Sequence, residues 1–579
     1  MISKAQVPFP PLWHAPCVDL QKRQNGRRTR PAGKGGGVVM NRREFLKTAS
    51  VTAIAAGAGI TAPAMFTSAR AQSRQETILV VTESGPNNFD IHGVGTNRPG
   101  YEVSWNCYDR LISHGVKTLD NGVESYDRDV FTPELAEEWD VTDNAATFKL
   151  RRDATFHDGT PITASDVKWS FDRAVTVGGF PTFQMKAGSL ESPEQFVVVD
   201  DHTFRVDFIR KDRLTMADLA VIVPAVYNAG LVKKNATAQD PWGLEYTKTN
   251  IAGGGAYKVA RWQPGQEIVY ERNDYWKNGP LPQARRIIWR MVPSAGNRRA
   301  LIERGDADIS FDLPNKDFSE LAAAGKVKVA STPIGNGIQY IGMNVTKAPF
   351  DNVKVRQAVA YAIPYQKIMD AVMFGLARPL HGGPMTASAA EWPSVHPYDT
   401  DVAKARALLA EAGYPQGFQT TLSFDLGFAA INEPLSILVQ ESLKEIGIDV
   451  SIEKIPGANW RAELLKKEMP LITNFFSGWL DYPEYFFFWC YHGQNAVFNT
   501  MSYQNAAMDD LITAARTAAA EGRTADYEAD VKAFIDLAFE DVPRIPLFQP
   551  YLSVAMQPNI EGYRYWFHRQ LDYRSLVKA

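Results

Sequence analysis

Between residues 420 and 476 the hydrophobic period changes four times, and this constrains the fold more than any other feature of the chain. Residues 420–424 read as a strand. From 434 to 447 the apolar Leu435, Leu438, Val439, Leu443 and Ile446 recur at helical spacing, and Gly447 supplies a left-handed stop. Ile448, Val450 and Ile452 then alternate with polar residues, as in a half-buried strand. A second helix is expected over 458–469, and Pro470 opens the apolar run 471–476. A β-α-β-α-β order of this kind requires a parallel, right-handed unit with helices over its faces.

The rest of the chain adds strands first and helices later. Residues 78–82 form a continuous apolar run, the pattern of a buried strand. Phe148 and Leu150 alternate with polar neighbours, and so do Phe204, Val206 and Phe208. A helix is expected over 403–412, closed by Gly413, and helical spacing returns over 508–539. The length of 579 residues implies two to four domains. With 45% hydrophobic and 22% charged residues, neither a disordered chain nor a multi-span membrane protein fits. Three cysteines, Cys17, Cys107 and Cys490, are too few for a disulfide-dense scaffold or a four-thiolate zinc cluster. The core must therefore come from apolar packing; whether Cys107 pairs with Cys490 stays open.

Charge separates the first segment from the rest. Residues 1–71 hold eleven Lys and Arg against two Asp and Glu, which leaves 51 basic and 63 acidic residues in 72–579, a net of about −12. An acidic body argues against nucleic acid or an anionic membrane as partner. In the basic segment, Arg42 and Arg43 precede Phe45, Leu46 and Lys47, and a weakly apolar run over 51–66 ends at Ala69-Arg70-Ala71, a small-x-small cleavage pattern. This resembles a bacterial twin-arginine export signal, cleaved near Ala71. The run contains Gly57, Gly59 and Pro63 and is too short for a span of about 20 apolar residues. Met40, just before the arginine pair, is the expected initiator, which makes 1–39 a mis-assigned extension.

Motifs that would announce a reaction are missing. There is no G-x-S-x-G, H-E-x-x-H or C-x-x-C, and Gly253-Gly254-Gly255 lacks the G-K-[ST] ending of a phosphate loop, so it reads as a flexible bend entering a strand. His157-Asp158-Gly159 reads as a turn, since no nucleophile or second acid accompanies it. No cofactor or metal is implied. The densest feature is 475–492, where ten Trp, Tyr and Phe residues surround Asp481 and Glu484. Such crowding suits either a core or a surface that packs on a solute, with a partly desolvated carboxylate to orient an ammonium or hydroxyl.

Several segments together resemble the family 5 solute-binding proteins of ABC importers, the dipeptide, oligopeptide and nickel-binding group. They are Leu135-Ala136-Glu137-Glu138-Trp139, Thr147 to Arg151, and Phe156-His157-Asp158-Gly159-Thr160-Pro161, followed by Gly255-Ala256-Tyr257, Arg272-Asn273-Asp274-Tyr275-Trp276, Gly305-Asp306-Ala307-Asp308, and Pro349-Phe350-Asp351 with Arg356-Gln357-Ala358. The resemblance runs in order through nearly all of 76–579. It implies an α/β, two-lobed periplasmic-binding-protein fold (type II, large peptide-binding type) with a third domain inserted in the first lobe. The implied division is 72–115, 248–338 and 543–579 for the first lobe, 116–247 for the inserted domain and 339–542 for the second lobe.

The implied function is capture of a peptide or amino-acid-derived solute in the periplasm for an inner-membrane ABC permease, by a monomer and without catalysis. Oligosaccharides, glycosides and opine-like sugar conjugates are the alternative solutes, and an exported enzyme is the remote one. Gly478-Trp479-Leu480-Asp481-Tyr482 resembles the family segment whose acid holds a ligand's amino group. Asp481 is therefore expected to orient the solute, with Trp479, Tyr482 and Trp489 packing on it.

Overall fold

The parallel unit expected over 420–476 is present in the computed structural model, which describes residues 75–93, 95–334, 337–379, 396–494 and 498–579. The described residues fall within one compact unit, Ala64–Ala579. The 1–39 extension, the 40–71 export segment and Cys17 lie outside the described residues. Strand Phe418–Asp425 pairs in parallel with Ile448–Ile455 on one side and with Leu471–Ser477 on the other. Helices Ala429–Glu445 and Gly457–Lys466 make the two crossovers. Glycine is required where the first pair begins: Gly417 and Gly447 both have positive φ, and a Cβ on Gly417 would stand 1.9 Å from the Gly447 carbonyl oxygen.

A second set of parallel strands lies at the other end of the same sheet. Thr77–Thr82 pairs in parallel with Arg286–Met291 and with the short Ile309–Ser310. Antiparallel strands Glu267–Arg272 and Tyr257–Gln263 extend that edge. The two sets are joined by Arg544–Met556, a 13-residue strand. Its first half pairs with Gly337–Met343, which leads to Leu471–Ser477. Its second half pairs with Lys328–Pro333 and Ile309–Ser310. The result is one continuous 12-stranded sheet crossed twice by the chain.

A separate four-stranded antiparallel sheet is built from Ala136–Val141, Ala145–Leu150, Phe196–Asp200 and Thr203–Asp207. Its inward residues follow the alternation read from the sequence: Phe148 and Phe204 are fully buried, and Phe171 of helix Ala164–Thr176 meets Phe204 edge-on at 5.3 Å.

The helical spacing expected over 508–539 is present, and one other expectation needs correction. The helical spacing over 508–539 belongs to two helices, Ala506–Ala520 and Thr524–Asp541. Gly522, at φ +70, turns the chain between them, and the apolar period resumes in phase because both helices face the same core. The triple glycine is not a flexible bend. A Cβ on Gly253 would stand 2.1 Å from the Cys107 carbonyl oxygen and one on Gly255 2.5 Å from the Cys107 carbonyl carbon, so these glycines permit close backbone packing. Cys107 and Cys490 are both buried free thiols.

Candidate functional site: a cleft between the two sets of parallel strands

In open α/β sheets the carboxyl ends of parallel strands are where loops can present side chains to a ligand. Here both sets of parallel strands send those ends toward one cavity of about 390 Å³. Thr82, Glu83 and Ser84 follow one strand of the first set, Asp312 and Leu313 follow another, and Gly427, Phe428, Phe475 and Ser477 come from the second set. The crossing strand supplies the floor through Pro550 to Ser553. The cavity therefore stands between the two halves of the sheet, closed behind by the strand they share.

The walls are fixed by hydrogen bonds that reach back into the sheet. Trp289 Nε1 donates to Thr82 Oγ1 at 2.6 Å. Buried Arg298 donates to the carbonyls of Val292 at 2.6 Å and Pro293 at 2.9 Å, and also to that of Asp312. Asp312 is held at φ +60, and its carboxylate accepts from the Glu83 backbone N–H at 3.2 Å. A non-glycine residue kept in that region is a local strain that the surrounding contacts must enforce. On the opposite wall Gln339 donates to Asn432 Oδ1 at 3.0 Å and Thr473 Oγ1 at 2.9 Å.

Charge in the cavity has two signs. Helix Arg98–Cys107 starts at Asn97, whose side chain accepts from the Gly100 N–H, with Pro99 in the first turn. That start aims Arg98 across the gap, where its guanidinium donates to Ser477 Oγ at 3.2 Å and lies 5.8 Å from the Phe428 ring centre and 5.7 Å from that of Phe475. The acids of the wall are Glu83, Asp312 and, one helical turn after Arg98 on the same helix, Glu102. Among the described lining residues Arg98 is the one Lys or Arg. Glu102 is 8% exposed and accepts from the Tyr573 hydroxyl at 2.6 Å. Burial pushes its carboxyl up to about 8, with the Asp312 carboxylate acting in the same direction.

None of the four residues expected from sequence is among the lining residues of this cavity. Trp479 is 2% exposed and meets His568, which does line the cavity, edge-on at 4.3 Å. Asp481 is desolvated, which raises its carboxyl, while Arg128 nearby acts in the opposite sense. The Arg128 guanidinium donates to the Asp481 backbone carbonyl and lies 4.9 Å from the Tyr482 ring centre. Trp489, on helix Pro483–Cys490, packs edge-on against Phe498 at 5.3 Å. Asp481 and Tyr482 are thus brought together on Arg128, Trp479 sits against the wall of the cavity, and Trp489 is in the aromatic core.

Arg98, Glu102, Asp312, Phe428 and His568 were not found from the sequence. The signal for Arg98 was the Asn97-x-Pro99 helix start after a buried strand; His568 carried none, because its position depends on the chain returning from its carboxyl-terminal crossing.

Comparison with known proteins places this geometry. Residues 130–498 match the model of the bacterial extracellular solute-binding proteins, family 5. The chain belongs to that family. It is 27% identical over 505 residues to the probable D,D-dipeptide-binding periplasmic protein DdpA of Escherichia coli K12, covering 86% of this chain and 93% of the relative. It is 30% identical over 478 residues to the glutathione-binding protein GsiB of Salmonella choleraesuis, covering 79% and 88%. Among solved structures, the periplasmic binding protein DppA of Helicobacter pylori, in complex with the peptide STSA, superposes with a TM-score of 0.73 at 21% identity, covering 87% of this chain and 98% of that one. The α/β, two-lobed family 5 fold is therefore the fold of this chain. The described helices include none long and apolar enough to cross a membrane.

Proposed function

We propose that this family 5 protein captures a peptide or amino-acid-derived solute between its lobes and hands it, chemically unchanged, to an inner-membrane ABC permease. The observation that carries the reading is that opposite charges line one cleft: Arg98, boxed by Phe428 and Phe475, and the carboxylates of Glu83 and Asp312. A zwitterion offers a carboxylate to the first and an ammonium to the second, and both charges gain from the low dielectric between closed lobes. The names of the relatives, a D,D-dipeptide binder and a glutathione binder, agree with this class of solute. Oligosaccharides, glycosides and opine-like conjugates lack one or both charges or space them differently, and they serve as controls.

Within this reading the chain is exported through its twin-arginine segment, cleaved near Ala71, and acts as a periplasmic monomer. The first lobe comprises 72–115, 248–338 and 543–579, the inserted domain 116–247 and the second lobe 339–542. Asp481, desolvated beside Arg128 and outside the lining residues, is proposed as a second carboxylate for a cationic group of the solute, with Trp479, Tyr482 and Trp489 supporting it. Native mass spectrometry of the freshly purified protein, followed by titration calorimetry with di- and tripeptides, glutathione and an opine-type conjugate, tests the function. The expected result is a peptide-class solute retained and recovered intact. A chemically altered solute, or affinity for the controls alone, rejects it.

A further inference from the structure

We propose that His568 is a solute-reading residue whose imidazole hydrogen-bonds an uncharged polar group, an amide or hydroxyl, of the solute held beside Arg98. The proposal rests on the cleft being the solute site, as argued above. His568 lines the same cavity as Arg98. Both of its ring nitrogens are buried and have no hydrogen-bond partner among the described residues. Buried polar atoms are nearly always partnered, and an exception in a cavity wall needs a reason. The packing alone gives none. The neighbours are Trp479 at 4.3 Å and Tyr101 at 5.9 Å, both meeting the imidazole edge-on, so a phenylalanine ring would fill the space equally well.

Backbone geometry points the same way. His568 sits at φ 53, ψ 27 within the short turn Phe567–Arg569, a left-handed conformation that costs free energy in a non-glycine residue and persists where the surroundings enforce it. Trp479 and Tyr101 fix the ring plane, so the nitrogens are pre-oriented. Burial, reinforced by the Arg98 charge, keeps the imidazole neutral. A neutral imidazole offers one donor and one acceptor, which matches a peptide amide or a hydroxyl and does not match a carboxylate or an ammonium as well.

The test uses the full mature chain and the solute panel named above. His568→Phe keeps the ring packing and removes both nitrogens; His568→Asn tolerates the left-handed backbone and keeps a donor and an acceptor. The expected result is at least a tenfold loss of affinity for His568→Phe, partial recovery for His568→Asn, and a melting temperature without solute no lower than that of the wild type by more than a few degrees. Should the Phe variant fail to fold, the imidazole ¹⁵N shifts of the wild type are read instead, and they are expected to move on saturation with a bound peptide. Wild-type affinity in His568→Phe, or unmoved ¹⁵N shifts at saturation, overturns the role of His568 and leaves the peptide reading standing. Failure of the wild type to bind any member of the panel overturns both.

Discussion

Arg213 donates from Nε to Glu484 Oε1 at 2.7 Å, and the Tyr527 hydroxyl closes the triangle by donating to Glu484 Oε2 at 2.8 Å while accepting from Arg213 at 2.7 Å. Arg213 follows the four-stranded sheet in the chain, whereas Glu484 and Tyr527 belong to the half of the molecule built on Leu471–Ser477. The triangle therefore ties parts of the structure that no strand connects. Asp212 adds a second tie, accepting from Arg516 at 2.6 Å.

Glu484 is 1% exposed and Arg213 33% exposed, so removal of the arginine strands a buried carboxylate. Arg213→Met is expected to cost about 2 kcal/mol, a value below that of a fully buried pair because Arg213 is partly solvated. Adding Glu484→Gln should restore most of the loss. Urea unfolding of the two single variants and the double variant measures this coupling, and additive losses would show that the triangle contributes nothing.

Arg98→Gln keeps a hydrogen-bond donor near Ser477 and removes the charge between Phe428 and Phe475. Affinity for a carboxylate-bearing solute is expected to fall by about 1.5–3 kcal/mol, the range for hydrogen bonds to charged groups. The same solute with its carboxylate amidated should bind the variant and the wild type alike in titration calorimetry.

Burial pushes the Asp218 carboxyl from its ordinary 3.8 up to about 8. Between those values the unfolded chain has lost this proton and the folded chain keeps it, so the group lowers stability as pH rises from about 4 to 8, by at most about 1.4 kcal/mol per pH unit. Asn at this position can still accept from Gln184 Nε2, which reaches Asp218 Oδ1 at 2.6 Å. Asp218→Asn is expected to be more stable than the wild type at pH 8 and to lose that advantage toward pH 4. His92, His114 and His157, each held at about 4 by burial, act in the opposite sense, with stability falling as pH drops below 6.5. They cancel when the variant is compared with the wild type at each pH, and a pH-independent difference in urea midpoint would refute the assignment.

Gly253→Ala places a methyl group 2.1 Å from the Cys107 carbonyl oxygen, a backbone atom that no side-chain rotation can move. A loss of about 3 kcal/mol or more is expected, at the upper end for overpacking. Gly296→Ala is the control on a helix, where the nearest atom is 3.9 Å away. Equal denaturation midpoints for the two variants would contradict the packing.

The parallel unit at 418–477 was legible because each of its elements carries its own period and stop signal, Gly447 and Pro470 among them. The break at Gly522 was not, since both flanking helices present apolar residues to the same core and the spacing runs through the turn. Trp479 and Asp481 were conspicuous as residue types, yet the cavity is lined by Arg98 and Glu102 of one helix, Asp312 and His568, which come from three distant stretches of sequence. What unites those four is strand order, with Thr77–Thr82, Ile309–Ser310 and Arg544–Met556 side by side. That order has no local trace in the chain. Local patterns therefore revealed the elements, and long-range pairing decided which side chains share a cavity.

The strand Arg544–Met556 also sets when the molecule can be finished. Neither half has its full set of neighbours until this segment arrives, and Ile309–Ser310 waits between Thr77–Thr82 and Arg544–Met556. Closing the sheet therefore waits on pairing between segments far apart in the chain, a high-contact-order step that is slow by nature. Any truncation that removes this strand should deprive both halves of the 12-stranded sheet of a neighbour at once.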